Sequence, residues 1–554
     1  MIYTMPPVAL SPLQIGHASL YTQLVTLYRR SAIASLAILA LIVAATWFRI
    51  RGTLIEPLWL DEAYSAYAAS KGFHFLWNVV PLYETHPPFY YSLLRVWTLG
   101  FGDSLTALRA LGIVCGLLTL PVAVLALREV VRDKRPAGVA IIAALALVSL
   151  SPPLVEMSRE VRPYPVLILV YSIATAMLLR LGRIAAAEHR IARAPFIIYL
   201  ICQALMLWLH NLGPLYAAAL GLAFLVLVAR PGLARADWIW FFVGHALVAL
   251  VYLPGLWILL DQAPTWVRST WLRFNPGLLG ARLQFLYAAG GWPAAIAAAA
   301  LLVLAAMTLW RDSQGRRVLI GLLLLALLPT AASILISMTI APVFIVRTLT
   351  ATALPMLLLF AIGIGLNFGR ERAIGLGALL ILLTIMAIGD YRERERGPMQ
   401  DWYAALKWLG ERYRPGDVVW AYPNEGALPF DYAVRDLGMK VVTRPIPTAI
   451  PTLDGGPGAW NPTGSRGVVS LPADRLKTLA DAPEARAVPT IWLLRLGANA
   501  YDKGDHLLHA LEANRVRVAD CETYPIDVIG LARPDVAGTP PTFPAKRAPC
   551  VPGK

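Results

Sequence analysis

The chain has 554 residues, of which 58% are hydrophobic and 15% are charged, and its formal net charge is +15. Soluble globular chains have about 45–50% apolar and about 25% charged residues, so this composition excludes a single soluble core. A soluble protein this basic would suggest a nucleic-acid partner. Here the arginines and lysines lie between apolar runs, which is the membrane pattern, and we expect membrane lipids and no nucleic acid as partners.

The N-terminal region shows no cleavable signal peptide. The first apolar run begins near Ser31, directly after Arg29 and Arg30. We predict a cytoplasmic tail over residues 1–30, followed by a first transmembrane helix that is retained in the mature protein.

Apolar segments of about 20 residues can each cross a bilayer as a helix. They predict an all-α polytopic membrane domain over residues 31–390, with about 11–13 transmembrane helices. The candidate spans are 31–49, 107–128, 137–154, 164–181, 195–209, 211–229, 238–260, 287–309, 318–340, 349–368 and 373–389.

A further apolar segment, 89–101, is too short for a standard span, and its path decides the topology. If it does not cross, five later basic loops share the cytoplasmic side with the N-terminus, as the positive-inside rule requires. We therefore predict that it dips into the membrane or lies at the interface. The segments predicted to lie outside are then 50–106, 155–163, 261–286, 341–348 and everything after residue 390.

The composition changes after Asp390, and residues 391–554 predict a soluble α/β domain outside the membrane. The predicted helices are 400–412, 425–437 and 504–514, the predicted strands are 418–422 and 491–496, and 444–466 is predicted to be loop. Cys521 and Cys550 could pair if this domain is extracytoplasmic, but the four cysteines show no metal-binding spacing.

The first external loop contains two adjacent carboxylates, Asp61 and Glu62, close to Tyr64. Adjacent residues on a helix do not share a face, so the two carboxylates should have different tasks. One could take the proton from an acceptor hydroxyl; the other could bind a sugar hydroxyl, a structural cation, or a lipid phosphate through a metal. The alternative is an interfacial helix with a solvated acidic end.

The same loop ends in Glu84, His86 and two prolines that suit a helix start. His86 would lie at the depth of a phosphate headgroup, whereas the alternative is an aromatic belt with a capping turn. Tyr64 and Glu84 are further candidates for binding a sugar or an acceptor.

Three arginines and a tyrosine lie at the external ends of predicted spans. Arg159, Arg162 and Tyr164 belong to a short charged loop, and Arg347 stands alone between two apolar runs. Arginines can bind a phosphate through paired hydrogen bonds. The alternatives are ion pairs with Glu156 and Glu160 for the first group, and snorkelling to the interface for Arg347.

The segment 261–275 alternates tryptophan with arginine, and its candidates are Trp266, Arg268 and Trp271. Aromatic faces bind sugar rings and arginines bind phosphate. The same composition also describes an ordinary interfacial helix.

Taken in order, Trp59-Leu-Asp61-Glu62-Ala, His86-Pro-Pro-Phe-Tyr-Tyr and Ser158-Arg159-Glu160-Val-Arg162-Pro-Tyr164 resemble the GT-C membrane glycosyltransferases. The group they resemble is glycosyltransferase family 39, which includes protein O-mannosyltransferases and lipid A aminoarabinose transferases. The resemblance covers roughly residues 31–390. Asp401-Trp402 and Pro415-Gly416-Asp417 also resemble the start of the soluble domain of bacterial members.

The resemblance implies an inverting transfer from a polyprenyl-phosphate-linked sugar, at an active site on the extracytoplasmic face. It makes Asp61 the expected catalytic base and Glu62 the second acidic position. It assigns the donor phosphate to His86, Arg159, Arg162, Tyr164 and Arg347; at the last of these positions the family often has a following tyrosine, where this chain has Thr348.

The acceptor stays open among a glycolipid, a polysaccharide and a protein, and the sugar is a hexose or a pentose. The sequence indicates no cofactor. The proposed chemistry allows a divalent cation, but no motif indicates one. The composition suggests a bacterial inner membrane. The alternatives are a polyprenyl-linked polysaccharide ligase or polymerase, a lipid transporter or flippase, and an inert scaffold. A transporter should show inverted repeats with broken spans, which this sequence lacks.

Overall fold

The structure is a computed structural model that describes residues 13–131, 137–269, 272–451, 471–498, 504–538 and 547–551, together with residues 502 and 543. The helices of the membrane domain are α1 Leu13–Ile50, α2 Leu60–Ser70, α3 Phe73–Asn78, α4 Phe89–Phe101, α5 Leu105–Val131, α6 Ala137–Leu150, α7 Pro152–Met157, α8 Tyr164–Glu188, α9 Arg193–Leu209, α10 Gly213–Leu227, α11 Arg235–Ser269, α12 Leu279–Ala288, α13 Trp292–Leu309, α14 Ser313–Thr339, α15 Val346–Leu349, α16 Ala353–Gly365 and α17 Gly369–Glu393. The C-terminal elements are α18 Trp402–Gly410, β1 Val418–Tyr422, α19 Ala427–Asp436, β2 Thr443–Pro445, α20 Ala473–Asp481, α21 Pro483–Ala487, β3 Thr490–Leu496, α22 His506–Glu512, β4 Val516–Thr523 and β5 Ile526–Ala532.

Eight helical segments in the described part of the chain are long and apolar enough to cross a membrane. Each of them coincides with a predicted span. The other three predicted spans are the shorter apolar helices α6, α9 and α10. The chain is therefore a multi-pass membrane protein with an all-α membrane domain. Helix α1 begins at Leu13, well before the predicted start of the first span, whose apolar part is Ala32–Ile50.

Helix α16 lies at the centre of the bundle, packed by α6, α13 and α14. All of its residues are buried, whereas the apolar span of α1 is mostly exposed on the outer surface of the bundle. A helix that is apolar on every side is stable either inside a bundle or facing lipid. The two helices illustrate these two cases, which their composition does not distinguish.

Helix α4, the short apolar segment 89–101, has both ends on the same side of the bundle. Just before its start, His86 Nε2 lies 3.3 Å from Nε2 of His210, between α9 and α10. Just after its end, the carbonyl of Asp103 accepts a hydrogen bond from Tyr432 of α19 at 3.0 Å. The helix therefore runs along one end of the bundle instead of crossing it.

The C-terminal region is an α/β domain built on a five-stranded sheet in the order β2-β1-β3-β5-β4. Strand β1 is parallel to β2 and β3, and β5 is antiparallel to β3 and β4. Strands β3 and β5 are buried on both faces, because α18 and α19 cover one face and α20, α21 and α22 cover the other. The predicted strands 418–422 and 491–496 are β1 and β3.

The edge strands β2 and β4 and the inner strand β5 were not predicted. Strand β2 is only three residues long and contains Pro445, which is typical of an edge. Strand β4 alternates apolar with charged residues and is only partly buried. Cys521 of β4 forms a disulfide with Cys550, so the pairing considered from the sequence is present.

The C-terminal domain docks on the helix that carries Asp61. The Leu60 N–H at the start of α2 donates to Gln400 Oε1 at 3.0 Å, and Tyr67 further along α2 donates to the carbonyl of Ile450 at 2.6 Å. Helix α19 packs against α2. Helix α2 is thus held between the two domains.

Candidate active site at one end of the helix bundle

The sequence around Trp59 explains why α2 starts where it does. Glu62 occupies the third helical position and accepts the Trp59 N–H at 3.3 Å. A glutamate at this position satisfies one of the unpaired N–H groups at a helix start, and both Asp61 and Glu62 suit the positive end of the helix dipole. The helix start therefore fixes two carboxylates that point in different directions.

Glu62 is buried and joins three elements. Its Oε2 pairs with Arg109 of α5 at 3.1 Å, and its Oε1 accepts the backbone N–H of Val161 at 3.0 Å. Arg109 also donates to the carbonyls of Thr53, Glu56 and Pro57. Glu62 and Arg109 together attach the first loop to α5 and to the loop before α8.

That loop lies against α5 where the helix has two glycines, Gly112 and Gly116. A Cβ on Gly112 would stand 2.6 Å from the carbonyl oxygen of Ser158, and one on Gly116 would stand 2.5 Å from Ser158 Cβ. Small residues let backbone segments approach closely inside a membrane protein. The glycine pair thus permits the loop to bring Arg162 to Asp61.

Asp61 lies between two arginines that come from distant parts of the chain. Its Oδ2 is 3.4 Å from Arg347 and 4.0 Å from Arg162, and Arg162 also faces the Asp61 carbonyl at 3.4 Å. Asp61 and Arg162 are both buried. A carboxylate and two guanidinium groups are thus concentrated at one point.

Each arginine also lies over an aromatic ring. The Arg347 guanidinium is 4.9 Å from the centre of the Trp59 ring, and that of Arg162 is 5.9 Å from the Tyr164 ring. Cation–π contacts of this kind hold a guanidinium in place while leaving its N–H groups free to donate in its plane. Tyr164 is therefore brought into the cluster together with Arg162.

Arg159 points elsewhere. It donates to the carbonyl of Phe48 near the end of α1. The structure thus separates Arg159 from Arg162 and Arg347, although the sequence suggested one task for all three.

His86 and Glu84 form a second group beside the arginine cluster. His86 Nδ1 lies 3.0 Å from Glu84 Oε1, which also accepts the His86 backbone N–H at 3.2 Å. On the other side, the ring of His86 meets that of His210 edge to face, with ring centres 4.7 Å apart. The ring of His210 lies 5.9 Å from that of Tyr164.

Tyr64 lies inside α2 and donates to the Tyr83 hydroxyl at 3.0 Å. Burial raises the pKa of Tyr64 well above its usual value, and Tyr83 and Glu84 raise it further. The phenol therefore stays neutral and acts as a hydrogen-bonding group.

The predicted external loop at 261–275 is partly helical, because α11 continues to Ser269 with Pro254 and Pro264 inside it. The side chains of Trp266 and Arg268, and all of Trp271, lie outside the described part of the structure.

Two carboxyl groups before α8, Glu156 near the end of α7 and Glu160 in the loop that follows, have raised pKa values. Burial raises the pKa of Glu160 to about 8 and that of Glu156 to about 7. The Oε2 atom of Glu160 is shielded from solvent and has no hydrogen-bond partner within the described residues. Glu160 is therefore mostly protonated at neutral pH, beside the Arg347 and Arg162 cations.

This arrangement predicts a pH-dependent stability. The folded protein holds the Glu160 proton up to about pH 8, whereas an unfolded glutamate releases it near pH 4.3. Stability should therefore fall as the pH rises between these values. Glu160→Gln keeps the neutral form, so its melting temperature should fall less than that of the parent between pH 5.5 and pH 8.5. Glu188→Gln, in an exposed ion pair with Arg190, should follow the parent; an E160Q curve parallel to the parent would contradict the assignment.

Sequence reasoning missed Arg109 and His210. Arg109 falls two residues inside a predicted span, and a charge there must be paired or face a cavity, so it carried a usable signal. His210 gave no such signal, because a single histidine in a short turn does not form a recognisable sequence motif. Within the described residues, no group of three or more His, Cys, Asp or Glu side chains is placed to hold a metal ion.

No protein-family model and no curated protein matches the sequence, but solved structures match the fold. The apo structure of ArnT from Cupriavidus metallidurans, a lipid A aminoarabinose transferase, superposes with a TM-score of 0.59 at 11% identity, covering 92% of this chain and 100% of ArnT. The structure of the same enzyme bound to undecaprenyl phosphate superposes with a TM-score of 0.52 at 12% identity. That match covers 92% of this chain and 99% of the ArnT chain.

The oligosaccharyltransferase AglB from Archaeoglobus fulgidus, in complex with an inhibitory peptide and a dolichol-phosphate, gives a TM-score of 0.51 at 14% identity. The match covers 91% of this chain and 74% of AglB. All three structures are of GT-C glycosyltransferases. Because the superpositions extend over both the helix bundle and most of the remaining chain, this protein has the GT-C fold of the membrane glycosyltransferases.

Proposed function

We propose that the protein is an inverting glycosyltransferase that moves a sugar from a polyprenyl-phosphate donor to an acceptor hydroxyl. The observation that carries the proposal is the cluster of Asp61, Arg162 and Arg347 at one end of a membrane-helix bundle. Such a transfer needs a base for the acceptor and cations for the phosphate, and the cluster contains both.

In the proposed reaction, Asp61 accepts the proton of the acceptor hydroxyl, whose oxygen attacks the anomeric carbon opposite the phosphate. The bond between the anomeric carbon and the phosphate oxygen breaks, and the electron pair leaves with the lipid phosphate. Arg162 and Arg347 stabilise the charge that develops there. A single displacement of this kind inverts the configuration of the anomeric carbon.

The arginines have a second partner in this scheme. In the free protein they lie next to Asp61, and the donor phosphate would compete for the same N–H groups. Movement of the guanidinium groups towards the phosphate would leave Asp61 available as the base. Glu62 is held by Arg109 and Val161, so we assign it to positioning rather than to proton transfer.

The structural neighbours support a lipid-linked donor. ArnT was solved with undecaprenyl phosphate and AglB with a dolichol-phosphate. A transporter would place its polar site near the middle of the membrane, whereas these charged groups lie in short helices and a loop at one end of the bundle. The acceptor remains a glycolipid, a polysaccharide or a protein, and the sugar a hexose or a pentose.

We further propose that this end of the bundle faces the extracytoplasmic side of a bacterial inner membrane. The basic loops support this orientation through the positive-inside rule. The disulfide in the C-terminal domain also supports it, because disulfides persist outside the reducing cytosol. The C-terminal domain contacts α2 and would help to select the acceptor.

Arg347→Gln is the test of the phosphate assignment. Removing one preorganised donor to a developing oxyanion costs about 10²- to 10³-fold in rate, and we expect a loss of this size. The assay measures transfer from radiolabelled polyprenyl-phosphate sugars in membranes that express the parent or the variant at matched levels. Arg347→Lys should recover part of the activity, because the charge is kept and the paired geometry is lost.

Arg183→Gln is the matched control, since Arg183 forms an ion pair with Glu129 away from the cluster. It should transfer like the parent. Equal transfer by the parent and Arg347→Gln would remove the arginine from the donor site. Failure of the parent with every polyprenyl-phosphate sugar tested would count against the proposed function itself.

A further inference from the structure

The contact between His86 and His210 is unusual because both imidazoles have a partner at each end. His86 Nδ1 faces Glu84 Oε1 at 3.0 Å, and the two Nε2 atoms face each other at 3.3 Å. His210 Nδ1 accepts the backbone N–H of Leu212 at 3.0 Å. The four groups form a continuous chain of hydrogen bonds.

The partners at the two ends fix the positions of the protons. A carboxylate only accepts, so His86 Nδ1 carries the proton and its Nε2 has a lone pair. Because His210 Nδ1 accepts from Leu212, its proton is on Nε2 and points at His86. The Glu84 carboxylate at one end and the Leu212 N–H at the other therefore both require that His210 donates to His86. Each ring is neutral in this arrangement. The same contacts disfavour a metal ion between the two Nε2 atoms. Such an ion would need the lone pair of His210 Nε2, and a neutral His210 would then carry its proton on Nδ1. That proton would oppose the Leu212 N–H, which already points at Nδ1.

One additional proton cannot be placed on either imidazole without breaking this chain. On His86 Nε2 it would oppose the N–H of His210, and on His210 Nδ1 it would oppose the N–H of Leu212. The protonated pair therefore has to rearrange and direct an N–H to another acceptor. The pair has two states that differ by one proton.

The charges around His210 decide which state is populated. The groups facing it are His86 from the first loop, Arg162 and Tyr164 from the start of α8, and Arg347 from α15. Burial lowers the pKa of His210 well below its usual value, and His86, Arg162 and Arg347 lower it further. Without an anion, His210 is therefore neutral at neutral pH.

We infer that His210 and His86 form a proton-accepting pair that takes up a proton when a phosphate binds between Arg162 and Arg347. The phosphate charge offsets the repulsion from the two arginines, and its oxygens accept the N–H that the rearranged pair releases. His210 is a positioning residue in this scheme, because it acts through His86. The inference rests on the proposed function, since it needs the lipid phosphate to bind at this cluster.

Proton uptake can be measured with farnesyl methyl phosphate, a phosphodiester that does not itself titrate near neutral pH. The full chain in detergent is titrated calorimetrically at pH 6.5 in buffers of different ionisation enthalpy. The parent should take up a proton, with an upper limit of one per bound diester. By linkage, its affinity should rise as the pH falls, by at most about tenfold per pH unit.

His210→Gln is the informative variant, because its amide can donate to His86 Nε2 but cannot be protonated. It should bind the diester with less proton uptake than the parent and with a weaker pH dependence of the affinity, because one of the two imidazoles remains. His245→Gln, at a histidine bonded to Tyr199 away from the site, should behave as the parent does.

The outcomes separate this inference from the proposed function. Binding by the parent without proton uptake would overturn the role of the pair and leave the phosphate site intact. Proton uptake that is equal in the parent and in His210→Gln would also overturn it. If the parent does not bind the diester at all, both this inference and the phosphate site fail.

Discussion

Asp61→Asn is expected to reduce sugar transfer by about 10²- to 10⁴-fold, the usual contribution of a general base. Asparagine has nearly the same shape but cannot take the proton of the acceptor hydroxyl. The variant should still bind farnesyl methyl phosphate, and it should bind it more tightly than the parent. Arg162 and Arg347 lie against the Asp61 carboxylate, so removing its charge releases them for the phosphate.

Two measurements are needed for this variant: transfer from radiolabelled polyprenyl-phosphate sugar in membranes, and calorimetric binding of the diester. Asp103→Asn is the control, because Asp103 forms an exposed ion pair with Arg435 on the same side of the bundle. It should transfer like the parent. Undiminished transfer by Asp61→Asn would exclude Asp61 as the base. Loss of both transfer and diester binding would indicate a structural role instead.

Glu62→Gln is expected to destabilise the fold by about 3–5 kcal/mol, the usual cost of breaking a buried ion pair from one side. Arg109 would keep its charge in a buried site with only backbone carbonyls as partners. The loop before α8 would also lose a strong acceptor for the Val161 N–H. The measurement is the melting temperature of the full chain in detergent, beside diester binding.

Glu129→Gln provides the comparison, since the ion pair with Arg183 is partly exposed and such pairs contribute about 0–1 kcal/mol. The double variant Glu62→Met with Arg109→Met should recover most of the stability, because apolar residues often replace a buried pair without loss. A Glu62→Gln protein that melts like the parent yet transfers no sugar would assign Glu62 to catalysis, as the family resemblance implies.

The sequence was sufficient to predict the membrane domain, because each span is a local property. About 20 apolar residues in a row are needed to cross a bilayer wherever they occur in the chain. The same holds for β1 and β3, which are continuous apolar runs bounded by turns. Edge strands such as β2 and β4 depend on their neighbours for hydrogen bonds, so their own residues carry little signal.

The sequence also indicated which polar residues to examine, since charges near the end of a span are costly without a purpose. It could not indicate their partners. Asp61 and Arg347 are 286 positions apart, and only the packing of α2, α8 and α15 at one end of the bundle brings them together. For the same reason Arg159 and Arg162, three residues apart, face different partners.

By itself, then, the sequence determined that the chain spans a membrane many times, that an α/β domain follows the membrane helices, and which loops are rich in candidate residues. Tertiary structure alone decided that Glu62 pairs with Arg109, and that His210 joins His86. The physical reason is the range of the interactions. Hydropathy and helix periodicity act over neighbouring residues, whereas ion pairs and hydrogen bonds act over a few ångströms between segments whose distance along the chain is arbitrary.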